Sequence, residues 1–431
     1  MNAVEGRPAV AVVIPVRNRP HEIVECVRSL AALDYPRDLV EVIVVDDAST
    51  DDTAGAVRAL ALPGVRVLAG AEHSGQSACR NAGASDANAD IVAFIDSDCT
   101  ADPGWLAELT SDFADPTVVA VGGGVRAKDP ETWIERYEAA CSPLDKGPVP
   151  AEVVPGSGID SLASCNLVVR RRAFLDAGGF DAGLAFGEDV DLVWRLRRLG
   201  GRVLYRPSGA VEHDYRSTFG AFFRRRVDYT IAQGMFLRRY PRNGGVFDLP
   251  AGLLIGAAIA IAGIASGHPA LAALGAIAPA SDAIVSGRGG GGLRGGILRV
   301  VTSYAAALYR VVSRAGKYWA LPAAVAGAVL ALVASPAWSW LVVGALATMG
   351  IPAIVEWVRK RPGLDPARFA AAVLADSVAV NAGTVWGCVV HRTLRPLSVR
   401  FAFHATSASM PPSRRPIAAP GTSGAPAGGA R

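Results

Sequence analysis

The sequence predicts an α/β domain built on a mostly parallel, Rossmann-like sheet with flanking helices, followed by an α-helical, membrane-associated region. Three observations carry this expectation. From Ala9 to Leu204 apolar runs of strand length alternate with helical patterns. Beyond Pro241 the apolar runs lengthen towards those of helices that meet lipid. Charge divides with them: after residue 250 only Asp282, Glu356, Asp365 and Asp376 stand against sixteen Lys and Arg, although the 431-residue chain as a whole carries +4. An acidic front half joined to a basic, apolar back half is the distribution of a cytosolic domain fused to a membrane-attached one. With 51% hydrophobic and 19% charged residues the chain is not of the disordered class. Its near-neutral total gives no reason to expect nucleic acid as a partner.

Val10–Ile14 reads as a buried first strand, ended by Pro15. His21–Leu33 repeats Ile23, Val24, Val27, Leu30 and Leu33 at helical spacing, and Asp34–Pro36 stops it. Val40–Val45, Val65–Leu68 and Ile91–Ile95 follow as strands. The first, second and fourth strands end in polar clusters: Pro15-Val16-Arg17-Asn18, Asp46-Asp47-Ala48-Ser49 and Asp96-Ser97-Asp98. Ligands of open α/β sheets lie beyond the carboxyl ends of the strands, so the three clusters describe one site.

The expected organisation is a tail over 1–8, a catalytic-type domain over 9–245, a hydrophobic helical region over 246–400 and a disordered tail over 401–431, where Pro, Gly, Ala and Ser dominate from Met410. In the helical region Leu249–Ala265 and Ala270–Val285 are short apolar stretches, while Tyr318–Ala334 and Ala337–Val358 are better span candidates. Taken as two hairpins, these four segments keep their basic flanks on the cytoplasmic side. Ala367–Val390 carries Asp376 and Asn381, and is read as a span, a re-entrant segment or a helix packed on the others. Gly289–Lys317 has the pattern of an interfacial amphipathic helix on an anionic leaflet. A soluble helical domain is the alternative. The first eight residues, with Glu5 and Arg7, are no secretory signal, and the six scattered cysteines form neither a zinc pattern nor a disulfide framework.

The chemistry is read from the polar clusters. Asp96 and Asp98 at a strand end can share Mg2+ or Mn2+, hard cations that take carboxylate and phosphate oxygens. An acidic surface turn looks the same in isolation, and context decides. Asp47, and with less reason Asp46, can accept hydrogen bonds from a nucleobase or ribose; a helix cap is the alternative. A dinucleotide fold would need a glycine fingerprint where Pro15–Pro20 stands. Gly75 and Ser77 can open a helix whose free N–H groups, with Arg80 one turn on, suit phosphate; a solvated arginine is the alternative. Glu188 and Asp189 stand at the start of a helix marked by Val190, Val193, Trp194 and Leu196, where a carboxylate can serve as general base for an alcohol. His213, after the strand Arg202–Tyr205, is a candidate metal ligand or a structural histidine.

Pro15–Asn18, Val45–Ser49, Cys79–Gly83, Asp96–Asp98, Gly178-Gly179-Phe180-Asp181 and Glu188-Asp189-Val190-Asp191-Leu192 occur in the order and spacing of family-2 glycosyltransferases of GT-A fold, which the chain resembles over residues 8–240. Trp133–Glu138, Ser142–Gly147, Val168–Arg171 and Ala210–Asp214 look more narrowly like the mycofactocin-system glycosyltransferases of actinobacteria, which elongate a glucose chain on a peptide-derived redox cofactor. The resemblance implies an inverting transferase with a nucleotide-sugar donor, UDP-glucose by preference. Pro15, Asn18, Asp47, Arg80 and Asp96 would surround the nucleotide. Asp96, Asp98 and His213 would hold the cation, and Asp189 would be the base. Phe222–Arg226 lacks the Gln and Trp of processive synthases. The acceptor is expected to be the mycofactocin peptide or, alternatively, a lipid-linked or cell-envelope glycan, at the cytoplasmic membrane with the catalytic domain facing the cytoplasm. A nucleotide-sugar sensor with a membrane anchor is the non-enzymatic alternative, which has no need of a base such as Asp189.

Overall fold

The computed structural model of the chain describes residues 6–154, 159, 161–184, 186–240, 246–287, 292–397 and 400–404. It divides into two units. One runs through Asp129 and includes Cys141–Tyr215; the other comprises Pro130–Ala140 and the chain from Arg216.

The first unit opens with β1 (Val10–Val16), α1 (Pro20–Ala31), β2 (Val40–Asp46), α2 (Thr53–Ala59), β3 (Val65–Ala69), α3 (Gln76–Asp86) and β4 (Ile91–Ile95). Every residue of β1 and β4 is buried, as continuous apolar runs must be when helices cover both faces of a sheet. α1 begins on Pro20, whose missing N–H is no loss in a first turn, and buries Ile23, Cys26, Val27 and Leu30. Gly83 lets α3 press against β1, since a Cβ there would stand 2.4 Å from Val13 Cγ1. Next come β5 (Cys99–Ala101), α4 (Trp105–Thr110), β6 (Val118–Ala127) and α5 (Trp133–Cys141), the last belonging to the second unit up to Ala140. β7 (Ala151–Glu152), β8 (Asn166–Arg170), α6 (Arg171–Asp176), α7 (Glu188–Arg198) and β9 (Arg202–His213) complete the unit.

The strand order is β3-β2-β1-β4-β8-β6-β9-β5, with β7 also on β9. The expected α/β sheet with flanking helices is present, and it is mixed. β3, β2, β1 and β4 are parallel, whereas β8 runs antiparallel to β4 and β6, and β5 and β7 run antiparallel to β9. The expected strand Arg202–Tyr205 continues as β9 through Pro207 to His213 by shifting register against β6. His213 therefore lies inside the strand, opposite Cys99.

The second unit contains α5, α8 (Phe219–Arg239), β10 (Val246–Pro250), α9 (Ala251–Ala265), α10 (Pro269–Leu274), α11 (Ile277–Gly287), α12 (Gly292–Tyr318), α13 (Ala320–Val333), α14 (Ser339–Lys360), α15 (Pro366–Val390) and β11 (Arg400–His404). β10 and β11 pair in parallel, so regular backbone extends to His404, past the expected start of the tail at 401. Residues 405–431, including the tail from Met410, lie outside the described residues. α8 and α15 pack side by side through glycines: a Cβ at Gly383 would stand 2.6 Å from the Val227 carbonyl, and one at Gly387 2.9 Å from that of Ile231.

The four expected apolar segments are unequal in the structure, the first two being short as the sequence indicates. Among the described residues, Pro336–Lys360 and Pro366–Val390 are long and apolar enough to cross a membrane, and α12 with α13 makes a third only if a pair bent by 68° is taken as one broken span. The first two segments are short apolar helices: α9 has 15 residues, and the next stretch breaks between Leu274 and Ile277 into α10 and α11. Too few residues remain in any one piece for the ~20 that a straight span requires.

Candidate active site

The carboxyl ends of β1 and β2 are stitched together by their own polar residues. The Asn18 N–H donates to Ser49 Oγ (2.9 Å), and the Thr50 N–H donates to Asn18 Oδ1 (2.8 Å). Asn18 and Ala48 both adopt positive φ, 52° and 54°, which turns the chain sharply at each strand end. Pro15 is the penultimate residue of β1, paired with Val45. Asp46 is buried and its Oδ1 accepts from the Ser49 N–H (3.2 Å). Asp47, also buried, accepts from Ser74 N–H (2.6 Å), Gly75 N–H (2.9 Å) and Ser74 Oγ (3.1 Å), and meets His73 Nδ1 at 2.7 Å. Burial alone would raise the Asp47 pKa, but these donors outweigh it and hold the carboxyl below its usual range. The aspartate thus shapes the loop that leads into α3, where Gly75 has φ 87° at the cap position.

Arg80 is not the solvated arginine that the sequence left as an alternative. Its side chain is wholly buried, with Nη2 2.5 Å from Asp96 Oδ1 and Nη1 3.2 Å from Glu188 Oε1. The guanidinium lies over the Phe180 ring at 5.5 Å. Asn81 clamps the same phenylalanine through both backbone groups, each at 2.8 Å. Gly178 and Gly179, at φ 83° and 66°, deliver Phe180 there, and a Cβ at Gly179 would stand 2.6 Å from Asn81 Oδ1. Two motifs some hundred residues apart are therefore one packed unit. Its function is to fix a buried cation between the end of β4 and the start of α7.

Glu188 and Asp189 open α7 after Gly187, which takes the left-handed conformation (φ 76°). Glu188 is buried and accepts from Gln76 Nε2 (3.1 Å), Arg80 and Ser164 Oγ (3.4 Å). Desolvation, and then the charge of Asp189, push its carboxyl up to about 7 against the pull of Arg80. Half-buried Asp189 accepts from the Ser164 N–H (3.3 Å). Burial raises its pKa also, while the Val190 N–H and the charge of Lys146 oppose the rise. A carboxylate above its ordinary range, at a helix start, is suited to accept a proton near neutrality.

At the other end of the cluster, donor atoms of Asp98, Cys99 and His213 lie within 4.8 Å of one another. His213 Nε2 is 3.7 Å from Asp98 Oδ1. Asp98 Oδ1 and His213 Nδ1 are buried and have no hydrogen-bond partner among the described residues. A buried carboxylate oxygen left without a donor is costly, and a cation beside it removes that cost. The oxygen and imidazole donors fit Mg2+ or Mn2+; the Cys99 thiol, its pKa raised well above normal by burial, stays protonated and adds little. Asp96 is outside this group, with its Oδ1 turned to Arg80. Arg19 Nη1 reaches Asp98 Oδ2 at 3.2 Å, a contact the sequence reading missed, as it did the Arg80–Glu188 pair. An arginine just after a strand is no signal by itself, and the second pair joins residues that only the fold brings together.

The pattern described as Glycosyl transferase family 2 matches residues 11–176. The "Pre-mycofactocin glycosyltransferase" of Mycobacterium tuberculosis (strain H37Rv) is 33% identical over 410 residues, covering 90% of this chain and 81% of its own length. The chain belongs to glycosyl transferase family 2. This glycosyltransferase is also 30% identical over 251 residues to the "Succinoglycan biosynthesis protein ExoO" of Rhizobium meliloti, covering 56% of itself and 72% of that protein. Among solved structures it is similar to the mannosyltransferase PcManGT of Pyrobaculum calidifontis in complex with GDP-Man and Mn2+, at 21% identity and a TM-score of 0.45, covering 80% of this chain and 86% of that one.

Proposed function

We propose that this family-2 glycosyltransferase is an inverting, metal-dependent enzyme that moves glucose from UDP-glucose to an acceptor hydroxyl of the mycofactocin peptide-derived cofactor. The observation that carries the reading is buried Arg80 joining Asp96 at the end of β4 to Glu188 at the start of α7, with the Asp98–His213 group two residues on from Asp96. Donor, cation and base functions thereby meet at one end of the sheet. Pro15, Asn18 and Asp47 form the nucleoside side, where Asp47 fixes loop 73–75. Asp96, held by Arg80 through Oδ1, would take the ribose with its other oxygen, and Arg80 would serve the donor through Asp96. Asp98 and His213 would hold the cation, which would supply charge neutralisation to the departing diphosphate.

In the reaction the acceptor oxygen attacks the anomeric carbon as the bond to the diphosphate oxygen breaks, and UDP departs with that electron pair. The acceptor proton passes to Asp189. A single in-line displacement inverts the anomeric centre, so an α-linked donor gives a β-glycoside. Similarity to the pre-mycofactocin enzyme over nine-tenths of the chain supports the peptide-derived acceptor. Similarity to the succinoglycan protein supports a lipid-linked or envelope glycan as second reading. The apolar helices of the second unit support attachment to a membrane, and the basic residues flanking them are the ground for placing the first unit in the cytoplasm. Incubation with UDP- and GDP-sugars and both acceptor classes, read by product mass spectrometry, tests the assignment. A hexose added to the peptide-derived acceptor from UDP-glucose is expected; product on glycan acceptors alone would transfer the enzyme to the second reading.

A further inference from the structure

Two helices of the second unit have the length and composition of membrane spans, and the contacts around them differ. In the span window ending α14 17% of the residues are buried within the protein, against 44% in α15. The polar residues of α15 explain the second figure. Asp376 pairs with Arg226 of α8 (3.0 Å) and accepts from the Tyr137 hydroxyl of α5 (3.0 Å), while Arg226 also meets Glu138 (3.3 Å). Asn381, wholly buried, donates to the Gly316 and Lys317 carbonyls at the end of α12 (3.1 and 2.8 Å). Each end of α15 is tied down as well. The turn before it is joined to α5 by Lys360 Nζ donating to the Ala140 carbonyl (2.7 Å). The turn after it is joined to the end of α8, where Arg238 reaches the His391 carbonyl (3.3 Å) and Arg395 that of Leu237 (3.2 Å).

These ties fix sidedness. α5 is joined to α8 by the Arg226–Glu138 pair, so the turn at Lys360 is held by the same two helices as the end of α15. α8 carries Arg224, Arg225, Arg226, Asp228, Arg238 and Arg239 in 21 residues, a set that no bilayer interior accepts in one helix. The end of α15 bound to it is on the same side as the start. α13 and α14 are the opposite case. No charged residue lies between Lys317 and Glu356, Trp338 and Trp340 are exposed near the tip of the hairpin, and Leu332, Val333, Leu346 and Val343 point outwards. Charges gather only at its base, in Lys317, Glu356, Arg359 and Lys360.

We infer that the α13–α14 hairpin is inserted among the acyl chains of the bilayer, entering and leaving by one face, whereas α15 does not cross but lies outside the hydrocarbon as a core helix held by α5, α8 and α12. The inference rests on the membrane reading above and deepens it. Its test uses the full-length chain in phospholipid vesicles, spin-labelled at single introduced cysteines: Leu332→Cys and Leu346→Cys on the hairpin, Leu374→Cys and Val389→Cys on the outer face of α15, all exposed positions. Signal from the unsubstituted chain is subtracted. Collision with oxygen, which concentrates in lipid, is expected to exceed that with a water-soluble nickel chelate several-fold at 332 and 346, and the preference to reverse at 374 and 389. Oxygen preference at all four positions overturns the inference and leaves membrane attachment standing. Nickel preference at all four overturns both. Labels at 332 and 346 that are immobile and shielded from both reagents would mean a second protein copy covers the hairpin, which also overturns it.

Discussion

At the scale of single residues the site is a set of charges whose protonation is set by neighbours. Asp189→Asn keeps the shape of the side chain and removes the proton acceptor. Turnover should fall by about 10²–10⁴-fold, the share that positioned proton transfer supplies, with UDP-glucose binding by calorimetry unchanged; near-normal turnover would move the base to Glu188 or Asp191. The pH profile follows from the raised carboxyls. Glu188, at about 7, and Asp189 lose protons above the usual carboxylate range, so kcat/KM should fall as pH drops through that range, because the protonated base accepts nothing. Glu188→Gln removes the negative charge beside Asp189 and should shift this acid limb to lower pH. An unmoved limb would show that another group governs it. At the cation site, Asp98→Asn or His213→Ala should raise the Mn2+ concentration for half-maximal rate by at least the ~10–100-fold that loss of outer partners costs in metal sites. Full activity of the unsubstituted enzyme in excess EDTA would remove the cation from the mechanism altogether.

Elements matter through the devices that join them. Arg80 ties α3 to β4 and α7, and its replacement by Ala leaves the Asp96 and Glu188 carboxylates without their buried counter-charge. Loss of one partner of a buried ionic group costs about 3–5 kcal/mol, so Arg80→Ala should lower the denaturant midpoint of the first unit strongly. A shift under 1 kcal/mol would mean that water replaces the guanidinium at no cost. Gly179 poses a backbone problem. Its φ of 66° and the 2.6 Å approach to Asn81 both exclude a branched side chain. Gly179→Val should cost about 1–3 kcal/mol of strain and loosen Phe180 from Arg80. Both motifs were visible as residue patterns. Their physical partnership was not, because neither Asn81 nor Phe180 signals in sequence where its hydrogen bonds go.

On the scale of the whole molecule, a charged α/β unit is joined to helices whose outer surface is apolar, with Leu332 and Val333 at 87% and 75% exposure. Such a surface marks a site that lipid or protein covers. Membranes carrying the full-length chain should retain it in the pellet through alkaline carbonate extraction. Release into the supernatant would mean that protein, and not lipid, covers these helices.

The sequence by itself determined β1, β2 and β4 of the parallel half of the sheet, because buried strands are written as apolar runs and each of these three ends in its polar cluster. It also determined the residue types of the site and the division between a charged and an apolar half. Only the tertiary structure decided the antiparallel strands β5, β7 and β8, which are two to five residues long and carry too little pattern to read. It decided that β9 runs through Pro207 and brings His213 to Asp98, and that Arg80 is a buried strut. It decided that Asp376 and Asn381 of α15 find partners on α8, α5 and α12. The common reason is that composition and periodicity record how a segment meets solvent or core. Which distant residue satisfies a buried charge is recorded nowhere along the chain and is fixed only when the elements pack.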